Sequence, residues 1–446
     1  MLTVHFLDDN HLLVTYGLRT LVPRLPDDPV DHDDRMVAAE VVDLPSGHVA
    51  ARTEWHMHDH ARYLWKLANG RFLVRIGERL STIAPLANLA AGDPFLRSVF
   101  PGEPMRPSLV FVSPDGGVVT LETVLEAPGE HDSKVVVLGD QDTAQEPVAK
   151  TVIAFYRLHS GSKDAEGGEF TVKAAGGVVS PEPLLLPIDA DGYLWAEAVE
   201  NGVWAVTFDG FGGKTINLGK VQSSCRPRLQ MTSRSEFLML TCQGADDRIK
   251  VASFGMDGHE TWEEPVGDVG TPSFAFAPAA ARFAISSIHV DAAPPSPDLT
   301  QTAAAPTQEI RVYQNASGDL LLRTECRPVF KTAENFDLSE DGSMAAVVRD
   351  GKIAIYKLPA LSKKDTDDMA EVEKFAPPVS TENVALKRLT RPMKAAKADE
   401  RAEEAASGAA AALVTPPSAS TGPRKRPTLL NPGEKPEFGS PNEQPN

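Results

Sequence analysis

The chain has 446 residues, 42% of them hydrophobic and 24% charged, an ordinary globular composition that supplies material for a core and excludes the fibrous classes. The formal net charge of −18 lies almost wholly in residues 1–380, so the folded part repels phosphate backbones and nucleic acid is excluded as a partner. No apolar run reaches the roughly eighteen residues that would span a membrane, and no signal peptide is visible.

Leu2-Thr3-Val4-His5-Phe6-Leu7 already reads as a strand. This abrupt start implies export, to the periplasm or beyond, if an N-terminal segment is missing, and a cytoplasmic protein otherwise. Asp8-Asp9-Asn10 makes a turn, Leu12–Tyr16 a second strand and Ala39–Leu44 a third. The same grammar follows at Leu67-Ala68-Asn69-Gly70 with Phe72–Ile76. It returns at Phe111-Val112-Ser113-Pro114-Asp115-Gly116 with Val118–Leu121 and Val152–Leu158. Ile188-Asp189-Ala190-Asp191-Gly192 leads into Tyr193–Ala196 and Val203–Phe208, and Met231-Thr232-Ser233 into Phe237–Thr241 and Ile249–Phe254. Phe276-Ala277-Pro278 precedes Phe283–Ser286 and Ile310–Tyr313. The clearest unit is the last: Phe336-Asp337-Leu338-Ser339-Glu340-Asp341-Gly342, then Met344–Val348, a turn at Asp350-Gly351, and Ile353–Tyr356. Self-similarity at a spacing of about 40 to 60 residues is the mark of a propeller or solenoid. A pair of β-sandwiches does not repeat one turn signature in this way.

With a Ser-Pro-Asp-Gly-type turn after the inner strand and a Val-Tyr-type third strand, residues 2–358 resemble the divergent WD40-like β-propellers common in bacteria. The Trp-Asp dipeptide and Gly-His pair of true WD repeats are missing, so that family's hydrogen-bond network does not carry over. The resemblance implies an all-β fold, a β-propeller of about seven blades over residues 1–360. The last blade shows three strands. A missing N-terminal strand, or pairing by Val372-Glu373-Lys374-Phe375, would supply the fourth and close the ring. Residues 361–446, rich in Ala, Pro, Lys and Glu, predict a disordered C-terminal tail.

Three insertions, at Pro23–Arg35, Leu125–Lys150 and Asp291–Gln308, fall between second and third strands and therefore on one face of a propeller. That face also takes His56-Met57-His58-Asp59-His60 from the end of the first blade's fourth strand. Imidazoles at alternate positions of an extended segment point the same way, and the acidic insertion around Asp31 belongs to the same blade. His58, His60 and Asp31 are thus the candidate ligands of a divalent metal, against the plainer reading of solvated loop residues with no cofactor. Cys225 and Cys242 flank a hairpin and face each other, a candidate disulfide suited to an oxidising compartment, with two buried thiols as the alternative. Cys326 has no evident partner. The five tryptophans are expected in the core.

No nucleophile elbow, Walker loop, dinucleotide fingerprint or HExxH pair is present. The sequence therefore reads as a monomeric, non-catalytic scaffold for a protein or peptide partner. The alternative is a metal-dependent hydrolase or oxidoreductase on the insertion-bearing face.

Overall fold

The computed structural model describes residues 2–18, 35–57, 62–76, 79–89, 100, 109–125, 150–160, 170–180, 191–211, 214–243, 248–266, 269–289, 306–329, 334–377 and 388–389. The repeated turn is built by its own side chains. In the third repeat Ser113 Oγ accepts from the Val118 amide (2.9 Å) and donates to Asp115 Oδ1, which also accepts from the Gly117 amide at 3.0 Å. In the last repeat Ser339 Oγ accepts from the Met344 amide (2.9 Å), and Asp341 Oδ1 takes the Ser339 hydroxyl and the Ser343 amide at 2.7 and 2.9 Å. A short polar side chain thus satisfies backbone donors that a tight turn would otherwise strand. The glycine of the turn is required twice over. Gly116 has a φ of +70°, and a Cβ there would also run into the backbone of Leu67 and Ala68 in the preceding repeat.

Each repeat folds into one small antiparallel sheet, and there are seven among the described residues. Blade 1 holds β1 (Leu2–Asp8), β2 (His11–Gly17), β3 (Arg35–Asp43) and β4 (Val49–Met57). Blade 2 holds β5 (Leu64–Lys66), β6 (Phe72–Ile76) and β7 (Arg79–Ile83), followed by the single-turn helix α1 (Pro85–Asn88). Blade 3 comprises β8 (Leu109–Val112), β9 (Val118–Leu125), β10 (Lys150–Ser160) and β11 (Phe170–Ser180). Blade 4 shows β12 (Gly192–Glu200), β13 (Val203–Gly210) and β14 (Thr215–Gln222); the inner strand predicted before Asp189 lies outside the described residues. Blade 5 has β15 (Arg228–Met231), β16 (Glu236–Gln243), β17 (Arg248–Gly255) and β18 (Glu260–Pro265). Blade 6 has β19 (Val269–Ala277), β20 (Arg282–His289), β21 (Thr307–Gln314) and β22 (Leu320–Cys326). Blade 7 has β23 (Phe336–Leu338), β24 (Met344–Arg349) and β25 (Lys352–Lys357).

Second strands are buried on both sides, as in Leu12–Val14 and Phe237–Leu240, because each sheet is packed between two others. Apolar clusters join blade 1 to 2 (Trp55, Tyr63, Phe72), 2 to 3 (Trp65, Leu73, Leu121), 4 to 5 (Leu194, Phe208, Phe237), 5 to 6 (Leu240, Val251, Phe283) and 6 to 7 (Ile310, Leu338, Val347). Phe155 stacks on Tyr193 between blades 3 and 4, with ring centroids 4.9 Å apart. Val4, Phe6, Ala346 and Val348 join blade 7 back to blade 1. The seven interfaces close a ring, and the fold is a seven-bladed β-propeller. Trp55, Trp65 and Trp195 are buried in it. Trp204 and Trp262 are half-buried, the latter stacked on Phe283 and Tyr313.

Among the described residues closure uses the apolar contacts between blades 7 and 1 together with charge, with no shared strand. Asp337 of β23, nearly buried, accepts from the Phe6 amide of β1 (2.8 Å) and from Lys66 Nζ of β5 (2.7 Å). One carboxylate so ties blades 7, 1 and 2, with a Val4 amide to Glu334 carbonyl bond (2.9 Å) and an Arg62–Glu334 ion pair beside it. The expected fourth strand near Val372–Phe375 is corrected: that segment is helical. Likewise the disorder expected from residue 361 does not hold for residues 363–375, which form helix α2 (Lys363–Val372) and a 3₁₀ turn (Glu373–Phe375). The reason is local. Ser362 Oγ accepts from the Asp365 amide and the Asp365 carboxylate accepts from the Ser362 amide, a reciprocal cap that starts a helix where strand alternation stops. A two-residue strand, β26 (Arg388–Leu389), runs parallel to β11 at Gly177 and Val178. By internal contacts residues 1–393 form one unit and 394–446 another; the second lies outside the described residues.

Candidate functional sites on the two propeller faces

Strand direction assigns every connection to a face. Second-to-third connections and the crossings between blades share one face, while first-to-second and third-to-fourth turns share the other. The three long insertions connect β2 to β3, β9 to β10 and β20 to β21, all on the first face, although their interiors lie outside the described residues. The Cys225–Cys242 disulfide sits on the same face, with Cα atoms 5.5 Å apart. It joins the crossing from blade 4 to blade 5 to the end of β16. Ser223 Oγ accepts from the Cys242 amide (3.1 Å) and the Ser224 amide donates to the Cys242 carbonyl (3.2 Å), so the two residues before Cys225 also lace the crossing to β16. Cys326 is a free thiol, buried in the cluster between blades 6 and 7, and burial pushes its pKa up to about 11.

Strand β4 carries His56 opposite Met36 of β3 and ends at Met57. The predicted ligands His58, His60 and Asp31 lie outside the described residues. Among the described residues no group of three or more His, Cys, Asp or Glu side chains is arranged to hold a metal ion.

The opposite, short-turn face carries a constellation that sequence reasoning missed. Arg234, in the β15–β16 turn, donates through Nε to Asp191 Oδ2 (2.7 Å) and through Nη2 to the Pro377 carbonyl (2.9 Å). Its Nη1 lies 3.8 Å from Glu373 Oε1, and Ser235 Oγ donates to Glu373 Oε2 at 3.3 Å. Asp191, just before β12, is almost wholly buried and fixes the guanidinium's orientation. At the other end of α2, Arg282 donates to the Pro359 and Gly342 carbonyls, each at 2.7 Å, and the Leu358 amide donates to the Ser343 carbonyl at 2.8 Å. The segment 359–377 therefore crosses the short-turn face from the blade 6–7 turns to those of blades 4 and 5.

Beneath Arg234 lies Glu236, the first residue of β16, only 2% exposed. Desolvation pushes its carboxyl up to about 7; an Asn315 hydrogen bond opposes this and the nearby Glu373 charge adds to it. Its Oε1 has no hydrogen-bond partner among the described residues. Asn315 also donates to Thr232 Oγ1 (3.1 Å), and Thr232 donates to the Glu236 carbonyl (3.0 Å), so the fifth blade replaces the Ser-x-Asp-Gly turn by a Thr-Ser-Arg-Ser-Glu version. That departure from the repeat was the available signal. Glu122 of β9 is a second buried carboxyl raised to about 7 by desolvation.

No protein-family profile matches the chain, and no curated protein matches it. Similar solved structures include an acylaminoacyl peptidase from Pyrococcus horikoshii, at 9% identity and a TM-score of 0.45, covering 83% of this chain and 54% of that one. Prolyl oligopeptidase B from Galerina marginata is similar at 8% identity and a TM-score of 0.33, covering 76% and 44%. TolB from Acinetobacter baumannii is similar at 10% identity and a TM-score of 0.31, covering 78% and 80%. The chain thus spans about half the length of the peptidases it is similar to.

Proposed function

We propose that this chain is a binding scaffold of the divergent WD40-like kind found in bacteria, non-catalytic and monomeric, which presents its insertion-bearing face to a protein or peptide. The carrying observation is the asymmetry of the two faces. Segment 359–377 crosses the short-turn face, while all three long insertions open on the other. Loops on a rigid frame are where recognition concentrates, because the frame holds their ends while their sequences vary freely. The disulfide on the same face supports the reading, since it stiffens the frame between blades 4 and 5.

The test is site-specific photo-cross-linking in cells. Probes within residues 19–34, 126–149 and 290–305 are expected to give adducts of one common mass, and probes at the exposed short-turn positions Ser46 and Asp319 none. Adducts confined to Ser46 and Asp319 would sink the assignment of the face. Metal analysis accompanies it: one near-stoichiometric transition metal, lost on His58→Ala with His60→Ala, replaces the scaffold reading by that of a metal-dependent hydrolase or oxidoreductase.

A further inference from the structure

We propose that the short-turn face around Arg234 is a second binding site, specific for a peptide segment of Glu-x-x-x-Pro pattern, and that residues 373–377 of this same chain are its resident occupant. The central guanidinium of the site is held by the blades themselves. Asp191, buried, holds the Arg234 guanidinium with Oδ2 2.7 Å from both Nε and Nη2, while Nη2 also donates to the Pro377 carbonyl and Nη1 faces the carboxylate of Glu373, four residues before it. Ser235 adds a second donor to the same carboxylate. The occupant is Glu373-Lys374-Phe375-Ala376-Pro377, whose glutamate and terminal carbonyl take those donors.

The occupant is held weakly, which makes the site one for exchange rather than a permanent part of the core. No residue of α2 is buried, Phe375 is 46% exposed, and of residues 373–377 Pro377 alone is buried. Hydrophobic burial is therefore confined to Pro377, and the rest of the docking uses a few hydrogen bonds and one long ion pair at a solvent-facing surface. Glu236 beneath the site adds a like charge facing Glu373 when it is ionised. Asn315 from blade 6 and Glu373 from the occupant face Glu236, while Arg234 from blade 5 and Asp191 from blade 4 pair with each other beside Glu373. A partner chain bearing the same Glu-x-x-x-Pro pattern would compete for the same donors.

The probe is a fluorescein-labelled peptide of residues 371–378, Glu-Val-Glu-Lys-Phe-Ala-Pro-Pro, and the readout is fluorescence polarisation with the full chain. Glu373→Arg, a substitution on an exposed side chain, places like charges at the site and expels the occupant. It is expected to bind the probe about ten-fold or more tightly than the wild-type chain, whose own segment competes at high effective concentration. Adding Arg234→Gln to Glu373→Arg is expected to abolish binding, with circular dichroism confirming an intact fold. Hydrogen exchange in the single variant is expected to accelerate across 364–376, since an undocked ten-residue helix is marginal in water. Equal probe binding by wild type and Glu373→Arg, or binding that survives Arg234→Gln, would overturn the proposal. So would unchanged exchange across 364–376.

Discussion

Glu236 is a carboxyl that the fold prefers protonated. Its pKa stands at about 7 in the folded chain, against an ordinary 4.5, because burial penalises the charged form more than Asn315 compensates. Between those two values the folded state holds a proton that the unfolded chain has released. The stabilisation is therefore complete below the unfolded pKa, falls as pH rises, and is gone above the folded one. Over that window the loss is about 3 kcal/mol for this residue alone. Glu236→Gln keeps the shape and removes the titration, so at pH 8 it should unfold at higher urea than wild type and at pH 4.5 at nearly the same urea. A wild-type midpoint that stays level from pH 4.5 to 7.5 would contradict this. Glu236 was illegible in the sequence because 62 acidic side chains surround it in the count and only the three-dimensional path of blade 6 brings Asn315 over it.

At the scale of elements, the turns and second strands were legible and the joints were not. Ser113-Pro114-Asp115-Gly116 and Ser339-Glu340-Asp341-Gly342 carry their own hydrogen bonds, so a local pattern suffices to find them. Helix α2 was missed because its cap is local but its docking to Arg234 and Arg282 is not. The paired cysteines stand between these cases. Facing positions across a hairpin are readable from turn placement, and Cys225 and Cys242 are 17 residues apart. A cross-link closing a loop of that size contributes about 3 kcal/mol, mainly by restricting the unfolded chain. Cys225→Ser with Cys242→Ser should cost about that much in non-reducing urea melts and nothing in the presence of reductant. Alkylation under denaturing, non-reducing conditions should label a single thiol, that of Cys326. Labelling of all three would instead describe two buried thiols.

For the whole molecule the question is how a chain of nearest-neighbour sheets becomes one cooperative unit. Each blade packs its apolar faces on the blades beside it, so an open array would unfold piecemeal from its ends. The closing interface removes those ends. Here it consists of Val4 and Phe6 against Ala346 and Val348, with Asp337 buried at the junction and bonded to blades 1 and 2. A fourth strand for blade 7 is what the repeat pattern leads one to expect, since strand sharing is detectable as a missing repeat unit. A carboxylate that bridges three blades leaves no such trace. Asp337→Ala strands the Phe6 amide and leaves Lys66, only 26% exposed, without its partner carboxylate, at a cost of roughly 2–4 kcal/mol. Lys66→Met in the same chain should recover part of that loss, because the uncompensated charge is then gone. The sharper readout is cooperativity. If closure is what couples the blades, Asp337→Ala should lower the urea m-value and separate the unfolding of blade 1, followed by Trp55 fluorescence, from that of blade 5, followed by far-ultraviolet loss or exchange at β16. Coincident transitions with an unchanged m-value would mean that the apolar contacts of Val4 and Phe6 hold the ring without the carboxylate.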